Sequence, residues 1–450
     1  MPTRFGGSRL ALRHPAQYVV LAFAVASLVG GALLFLPVAT ETPEGTGWVT
    51  ALFTATSAVC VTGLSVVDTG GHWSAFGEGV ILVLMQIGGL GIMTLSSLIV
   101  VGLARRLGLR QRLIAAASTG SLELGDVRRI LTGIVRVTIV FEVGAAIVLF
   151  LRFWLHYDES AGRAAYLGVF HAVSGFNNAG FALFADNMIG FRSDPVVLGT
   201  IALLIIVGGL GFPVWAQIGR RPWGPQGWDL HAKLTVSVTV VLLLGGAVLF
   251  TWWEWTNPAT LGGLSWFDAS VNGFFHSVVP RTAGFNSVDL GAVRAPTQLL
   301  TEMLMFIGGG SGSTAGGIKV TTFAVLGFVI WAEVRGDPDV VVFKRRIPTA
   351  AQRQAITVAL LALVVLVGAT MLLLATSPLG RSALFFEAVS ALGTVGLSTG
   401  ITPLLSTASQ LIVIGLMLLG RVGPPTLFAA LVLRQRERLY RHPEERPIIG

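Results

Sequence analysis

Charged residues are scarce in this sequence. Asp, Glu, Lys and Arg make up 12% of its 450 residues, whereas soluble proteins carry about 25%. Hydrophobic residues make up 53%, and the mean hydropathy is +0.76. The composition excludes an ordinary soluble domain and is typical of a protein embedded in a lipid bilayer.

Other absences narrow the function. Cys60 is the only cysteine, so the chain cannot form an internal disulfide. The apolar segments carry no Ser/His/Asp grouping and no set of metal ligands, which argues against an intramembrane enzyme. The basic start of the chain leads into an apolar run long enough to span a bilayer, so we expect no cleavable signal peptide.

Eight segments each hold about 20 or more mainly apolar residues, the length that a bilayer core requires. They are residues 18–36, 76–103, 130–152, 194–218, 231–253, 297–331, 354–375 and 408–433. If both termini lie on one side, that side receives 22 Lys and Arg residues and the other receives six. The positive-inside rule then makes both termini cytoplasmic in a multi-pass protein of the plasma (inner) membrane. The net charge of +8 reflects this topology and not nucleic-acid binding.

A short pattern that ends in glycine recurs four times in the outer connections. The copies begin at Phe53, Phe170, Phe275 and Phe386 and end at Gly63, Gly180, Gly284 and Gly396, and the third is one residue shorter. Short apolar segments between spans are typical of re-entrant helices. We therefore predict an all-α membrane protein of four repeated helix–pore-helix–helix units, with eight transmembrane spans and four re-entrant pore loops around a central pore.

The predicted organisation is a series of six segments. They are a cytoplasmic N-terminal segment at 1–17, pore repeats at 18–106, 130–221, 230–335 and 354–434, and a cytoplasmic C-terminal tail at 435–450.

Each repeat also carries a glycine cluster in its closing span. The clusters are 88–91, 208–211, 308–312 and 420–423, and they predict close helix packing or a bend. The third continues as a run of small residues that will not hold a stable helix. We predict a gating loop there, formed by Gly308, Gly309, Gly310, Ser311, Gly312, Ser313, Thr314, Ala315, Gly316 and Gly317.

The four glycine-ended loops suit a dehydrated cation. A re-entrant helix presents unpaired carbonyls at its C-terminal end, and rings of carbonyl oxygens can replace the hydration shell of a monovalent cation. Thr394-Val395-Gly396 matches the first three residues of the potassium-channel filter motif Thr-Val-Gly-Tyr-Gly, although no copy has the second glycine.

Few charged side chains accompany the loops. Arg421 lies inside the last apolar segment, where arginine is costly and faces a cavity or a partner. It is either a barrier to cations below the filter or one half of an ion pair between helices. We interpret Arg281 as a clamp on its loop, paired with Glu302 or Glu387, and His171 and His276 as packing or hydrogen-bonding residues.

Together these features resemble the Trk/Ktr/HKT superfamily of potassium transporters, over roughly residues 15–435. With eight spans and a short N-terminus, the chain is most similar to the Ktr membrane subunit. The resemblance implies a homodimer on a cytosolic nucleotide-binding regulatory ring, with K⁺ as the transported ion, and leaves open whether Na⁺ activates transport. It also implies that the filter residues are Val61, Thr62, Gly63, Asn178, Ala179, Gly180, Thr282, Ala283, Gly284, Thr394, Val395 and Gly396.

The leading prediction is a channel-like potassium uptake subunit, gated by the 308–317 loop and Arg421. The alternative is a Na⁺- or H⁺-coupled symporter, which would favour paired intramembrane carboxylates. The apolar segments offer Glu142 and Glu302 for that purpose. A non-transporting scaffold would not need four filter-like loops.

Overall fold

The computed structural model describes residues 15–42, 45–106, 124–220 and 224–423. Most of the predicted N-terminal segment, the end of the last predicted span and the C-terminal tail lie outside these residues. The described chain is mostly helical, as its composition predicts.

The helices follow one another in groups. The first repeat holds α1 (Pro15–Leu34), α2 (Trp48–Val59), the short α3 (Thr69–His72) and α4 (Ala75–Arg106); the second holds α5 (Leu124–His156), α6 (Ala161–Asn177), α7 (Pro195–Leu210) and α8 (Phe212–Arg220). The third holds α9 (Leu230–Glu254), α10 (Trp266–Val278), α11 (Ala295–Phe306) and α12 (Val320–Arg335). A two-stranded hairpin, β1 (Val341–Val342) and β2 (Arg345–Arg346), precedes α13 (Thr349–Thr376), α14 (Arg381–Gly393) and α15 (Thr407–Val422).

Three of the described helices are long and apolar enough to cross a membrane, and α7 with α8 makes a fourth if that bent pair is one span. Several other apolar helices are shorter, among them 19–34, 75–91 and 407–422. The predicted count of eight spans is therefore not settled by length and hydropathy alone.

Four short helices, which we call the half-helices, are α2, α6, α10 and α14. Each packs against the closing helix of the preceding repeat: α6 against α4, α10 against α7, α14 against α11, and α2 against α15. The series closes on itself, since the first half-helix meets the last closing helix. This cyclic packing brings the C-terminal ends of all four half-helices to one place.

The glycine clusters explain the close packing. A Cβ on Gly88, Gly208 or Gly420 would lie 2.0 Å from a carbonyl oxygen of the half-helix in the same repeat, that of Val59, Phe176 or Leu392. Each of those carbonyls is two residues before the first residue of a predicted filter loop. Any side chain at these glycines would push the half-helix away from its closing helix.

The clusters also produce bends. The axis turns by 93° between α7 and α8, at Gly211, whose φ of +89° suits glycine. The third closing segment breaks completely, because α11 ends at Phe306 and α12 begins at Val320. As predicted, 308–317 is not helical. In contrast, α4 runs through its own cluster without a break.

Candidate functional site: four glycine loops and the segment beneath them

The four predicted filter loops share one backbone conformation. Their first residues, Val61, Asn178, Thr282 and Thr394, all have positive φ, between 50° and 76°. Their last residues, the glycines, also have positive φ, between 72° and 94°. The repetition seen in the sequence is thus repeated in the backbone, even at positions where the residue type varies.

Three of the loops end their half-helices in a Schellman motif, in which the last carbonyls of a helix are satisfied by the two residues after it. The middle residue of each loop donates its N–H to a serine carbonyl five residues earlier, at 2.8 Å: Thr62 to Ser57, Ala179 to Ser174, and Val395 to Ser390. In the third copy Ala283 donates to Val279, four residues earlier, at 3.0 Å. The third copy is therefore one residue shorter at the end of its half-helix, whereas its loop has the same conformation as the others.

The loops meet in a ring. A Cβ placed on each glycine would face the carbonyl oxygen of the middle residue in another loop: Gly63 faces Ala179 at 2.5 Å, Gly180 faces Ala283 at 2.8 Å, Gly284 faces Val395 at 2.7 Å, and Gly396 faces Thr62 at 2.0 Å. The order is that of the repeats, and the fourth returns to the first. Backbones this close leave no room for a side chain at any of the four positions.

A cavity of about 430 Å³ lies against the ring, on the side that the charge pattern of the sequence predicts to be the outer one. All four loop glycines line it, together with the carboxylates of Asp68, Asp186 and Asp289, and no Lys or Arg is among the described residues that line it. We call this cavity the outer vestibule. Its wall carries negative charge only, which raises the local concentration of cations.

Serine hydroxyls hold two of the loops from behind. The N–H of Gly63 donates to the hydroxyl of Ser57, and that of Gly396 to the hydroxyl of Ser390, both at 3.0 Å. In the second loop the direction differs, since the hydroxyl of Ser174 donates to the carbonyl of Phe181 at 2.8 Å. None of these bonds uses a carbonyl of the loop residues, although the carbonyl of Gly180 accepts a long bond from the side-chain amide of Asn187 at 3.5 Å.

The 308–317 segment packs directly beneath this ring. Gly310 donates its N–H to the carbonyl of Gly209 at 2.8 Å, and the hydroxyl of Thr314 donates to the carbonyl of Phe176 at 3.4 Å. A Cβ on Gly316 would lie 2.0 Å from the hydroxyl oxygen of Thr394. The segment thus touches the ends of two half-helices, and Thr314 is fully buried.

Arg421 holds this segment from the last closing helix. One guanidinium nitrogen donates to the carbonyl oxygen of Thr314, and the other donates to that of Gly88 at 2.8 Å. The side chain is buried, 3% exposed, and it forms no ion pair with any described residue. The structure therefore disagrees with the ion-pair interpretation: Arg421 is bonded to backbone carbonyls of the first and third repeats.

Arg281 pairs with neither Glu302 nor Glu387, so the predicted clamp is wrong in its partner. Its guanidinium donates to the hydroxyl of Thr239 on α9, at 3.2 Å. Glu387 instead accepts from Thr402 at 2.5 Å, and Glu302 accepts from Gln298 at 3.3 Å. Arg281 is buried against α9, and a neutral hydroxyl takes the place of the expected charge.

The two histidines are held by packing and hydrogen bonds, as predicted. His171 Nδ1 lies 2.8 Å from the carbonyl of Leu167, and its ring stacks on Phe184 at 4.9 Å. His276 Nε2 lies 2.9 Å from the hydroxyl of Thr301, and its ring stacks on Phe250 at 3.8 Å.

A polar group behind the second loop was not predicted as a unit. The side-chain amide of Asn177, the residue before the loop, donates to Glu142 at 3.2 Å and to Gln86 at 2.8 Å, and Gln86 also donates to Glu142 at 3.2 Å. The sequence places Glu142 in an apolar segment, but its partners Asn177 and Gln86 lie 35 and 56 residues away in the chain. No local sequence pattern joins them.

Comparison with known proteins identifies the family. The sequence model of the TrkH family, described as a cation transport protein, matches residues 6–438. The chain belongs to the TrkH family of cation transport proteins. A family of transport proteins confirms the resemblance noted from the sequence, and it confirms that the chain is not an enzyme.

Individual relatives cover nearly the whole chain. It is 39% identical to the Ktr system potassium uptake protein B of Bacillus subtilis over 440 residues, 97% of each protein. It is 37% identical to the potassium/sodium uptake protein NtpJ of Enterococcus hirae, again over 97% of each. The crystal structure of the potassium transporter TrkH from Vibrio parahaemolyticus has the same fold, with a TM-score of 0.73, 20% identity, and coverage of 96% of this chain and 87% of that one.

Proposed function

We propose that this TrkH-family chain is the ion-translocating subunit of a potassium uptake system. Eight spans and four re-entrant half-helices would surround one pore, with both termini cytoplasmic in the plasma membrane. The observation that carries the proposal is the ring of glycine loops, in which each glycine faces the middle carbonyl of another loop. Potassium uptake is also the activity in the name of the Bacillus subtilis relative, which matches 97% of this chain.

Carbonyl coordination accounts for the choice of ion. Each loop offers backbone oxygens and no charged side chain, which suits a monovalent cation that has shed its water. The filter would consist of the twelve residues in the four loops. The half-helices direct the negative ends of their dipoles toward it.

Gating would depend on the 308–317 segment and Arg421. The segment lies directly beneath the ring, and the arginine joins it to α15. A positive charge at this depth repels cations in the pore. Opening would require the segment to move away from the ends of the half-helices, with Arg421 releasing the carbonyl of Thr314.

The resemblance to the Ktr system suggests how the chain assembles with other subunits. We infer that the chain forms a homodimer and that a cytosolic nucleotide-binding ring regulates it. The name of the Bacillus subtilis relative, protein B of a Ktr system, supports a complex of several subunits.

Coupling to Na⁺ or H⁺ is the second candidate function. The Enterococcus hirae relative NtpJ is a potassium/sodium uptake protein. In this chain, Glu142 is an intramembrane carboxylate with two amide partners and no cationic partner among the described residues. A coupled carrier would use such a group to bind the driving ion.

Ion flux in proteoliposomes distinguishes the two functions. We expect the purified protein to accumulate ⁸⁶Rb⁺ when K⁺-loaded vesicles create an outward gradient, with no requirement for a Na⁺ or pH gradient. The variant Glu142→Gln should retain this uptake, with Glu302→Gln as a matched intramembrane control. Uptake that needs an imposed Na⁺ or pH gradient, and that loses this need in Glu142→Gln, would establish the coupled carrier instead.

A further inference from the structure

A second cavity lies at the cytoplasmic end of the third repeat, far from the filter. It has a volume of about 640 Å³ and is bounded by the end of α8, the start of α9 and the β1–β2 hairpin. Three basic side chains line it: Arg220, Lys233 and Arg345. Trp228 and Phe343 contribute aromatic surface. We call it the basic pocket.

The three cations lack partners of opposite charge in the described chain. Two neighbouring arginines show the contrast, since Arg346 pairs with Asp339 at 2.8 Å and Arg335 lies 3.9 Å from Asp337. The positive-inside rule explains why basic residues lie on this side, but it does not explain why three unpaired ones converge on one cavity.

Among the described residues that line the basic pocket, Asp229 is the only carboxylate, and it is already bonded. Asp229 caps α9 by accepting from the N–H of Ala232 at 2.7 Å, and its second oxygen accepts from Gln217 at 3.1 Å. The ammonium of Lys233 donates to the carbonyl of Gln226 at 2.7 Å, which leaves it two further donors. The pocket therefore has a surplus of positive charge and of hydrogen-bond donors.

The walls of the basic pocket are held in place by buried apolar packing. Val340, Val342 and Ile347 of the hairpin region are buried in one cluster with Leu234 of α9 and Ala324 of α12. The hairpin turns at Phe343 and Lys344, both with positive φ of 46° and 61°, which is the conformation of a tight two-residue turn. Arg345 directly follows this turn and lines the same cavity as the start of α9.

The position of the pocket indicates its ligand. α9 begins its apolar span at Leu230, and α8 leaves the direction of α7 by 93°. With the predicted topology, these two features put the pocket at the cytoplasmic surface of the membrane. Tryptophan is enriched at that depth, and basic pockets on the cytoplasmic side bind the phosphate headgroups of anionic lipids. We propose that the basic pocket binds the phosphodiester headgroup of an anionic phospholipid from the cytoplasmic leaflet.

The same walls contact the gating segment. Phe212, the first residue of α8, donates its N–H to the carbonyl of Gly312 at 3.2 Å. A Cβ on Gly310 would lie 2.9 Å from the methyl group of Thr235 on α9. A headgroup that joins Arg220 on α8 to Lys233 on α9 fixes these two helices relative to each other, and so biases the position of the 308–317 segment. This step rests on the proposed function, whereas binding of the lipid does not.

Lipid retention is the direct test. The full-length protein is incorporated into nanodiscs of phosphatidylcholine with about a quarter phosphatidylglycerol, and bound phosphatidylglycerol is measured by native mass spectrometry. Losing one cation near an anionic headgroup weakens binding by about five-fold, so Arg345→Gln should retain less phosphatidylglycerol. Arg346→Gln, its neighbour in the same strand, removes the same charge from outside the pocket and should retain as much as the wild type. Equal retention by the two variants overturns the proposal.

Flux measurements complete the test. Phosphatidylglycerol should change wild-type ⁸⁶Rb⁺ flux relative to pure phosphatidylcholine, and Arg345→Gln should lose that response while Arg345→Lys keeps it. If the protein passes no ion in any lipid, the proposed function fails, but retention still decides the lipid site. Two results overturn the lipid assignment: Arg345-dependent binding of inorganic phosphate or ADP with no retention of phosphatidylglycerol, or a defect of Arg345→Gln confined to binding of the cytosolic ring.

Discussion

At the scale of single residues, the filter loops are held in a conformation that their side chains disfavour. Val61, Thr282 and Thr394 are β-branched and have φ of 54°, 76° and 50°. The left-handed conformation costs a residue other than glycine roughly 1–2 kcal/mol. The conformation persists because the Schellman bonds and the packing of the ring determine it, and backbone strain of this kind clusters at functional sites.

Gly396→Ser should relax the preference for K⁺ over Na⁺. Its Cβ would lie 2.0 Å from the carbonyl oxygen of Thr62, so that oxygen must turn away from the ring. Gly400→Ser is the matched control, because Gly400 has a similar φ of +90° but nothing within 4 Å of the added Cβ. The measurement is the ratio of ⁸⁶Rb⁺ to ²²Na⁺ flux in proteoliposomes. If both variants keep the wild-type ratio, the ring does not select the ion.

The four loop glycines were predictable from the sequence, but their surroundings were not. A position that tolerates no side chain requires glycine, and four such glycines at similar spacing indicated the repeat. The hydrogen-bond partners of Arg281 and Arg421 could not be predicted in this way, since hydroxyl and carbonyl acceptors are present almost everywhere in the chain. Charge complementarity suggested carboxylates, and backbone carbonyls and Thr239 supplied the hydrogen bonds instead.

At the scale of elements, the closing helices show why one repeated pattern yields different structures. The same glycine cluster lies within the continuous α4, at the 93° bend between α7 and α8, and in the complete break between α11 and α12. The clusters of the first, second and fourth repeats share a close approach to a half-helix carbonyl, at Gly88, Gly208 and Gly420. The sequence predicted packing or a bend at each cluster, but which of them occurs depends on the neighbouring helices.

Arg421→Gln should raise ion flux and leave ion preference unchanged. The shorter amide cannot reach both Thr314 and Gly88, so the 308–317 segment loses its tie to α15, and the positive charge beneath the filter is removed. Arg421→Lys keeps the charge but only part of the hydrogen bonding, and should give an intermediate flux. The readout is ⁸⁶Rb⁺ flux together with the ⁸⁶Rb⁺ to ²²Na⁺ ratio. A changed ratio, or a flux below wild type, would show that Arg421 does not restrain the gate.

A polar cluster around Asp194, the residue that precedes α7, gives a pH-dependent test of stability. Asp194 caps α7 by accepting from the N–H groups of Val196 and Val197, at 2.9 and 3.2 Å. It also accepts from Arg152 at 2.8 Å and from Tyr157 at 2.9 Å. Burial alone would raise the pKa of Asp194, but these hydrogen bonds outweigh it and lower the pKa.

Asp194→Asn should lower the thermal denaturation midpoint in detergent at neutral pH. Asparagine can still accept the two N–H bonds that cap α7, but it lacks the charge of the carboxylate, so the variant loses the ion pair with Arg152. Because the folded-state pKa is depressed, this stabilisation is complete above the unfolded-state pKa and disappears as the pH falls through the folded-state value. Wild type and variant should therefore converge in acid. Asp158→Asn, on the exposed turn after α5, is the control, and a deficit that persists in acid would assign the effect to packing.

At the scale of the whole molecule, one chain builds a closed ring from four unequal parts. The first half-helix packs against the last closing helix, so closure joins residues more than 300 positions apart, such as Arg421 and Gly88. Repeat spacing predicted a common axis, since the four loops had to meet somewhere. It could not predict which loop faces which, because that order depends on the packing of the half-helices.

The carboxylates of the outer vestibule should attract cations through long-range electrostatics. Asn in place of Asp68, Asp186 and Asp289 together should slow ⁸⁶Rb⁺ uptake several-fold at low ionic strength. Asparagine preserves the acceptor that Asp289 offers to the N–H of Gly291, so the loops keep their shape while the cavity loses its negative charge. Added choline chloride should shrink the difference, because the Debye length falls from about 30 Å at 0.01 M salt to about 8 Å at 0.15 M. Asp158→Asn removes an outer-side charge that does not line the vestibule and should leave uptake unchanged. A deficit that added salt does not reduce would mean that the three aspartates hold the loops in place instead of attracting the ion.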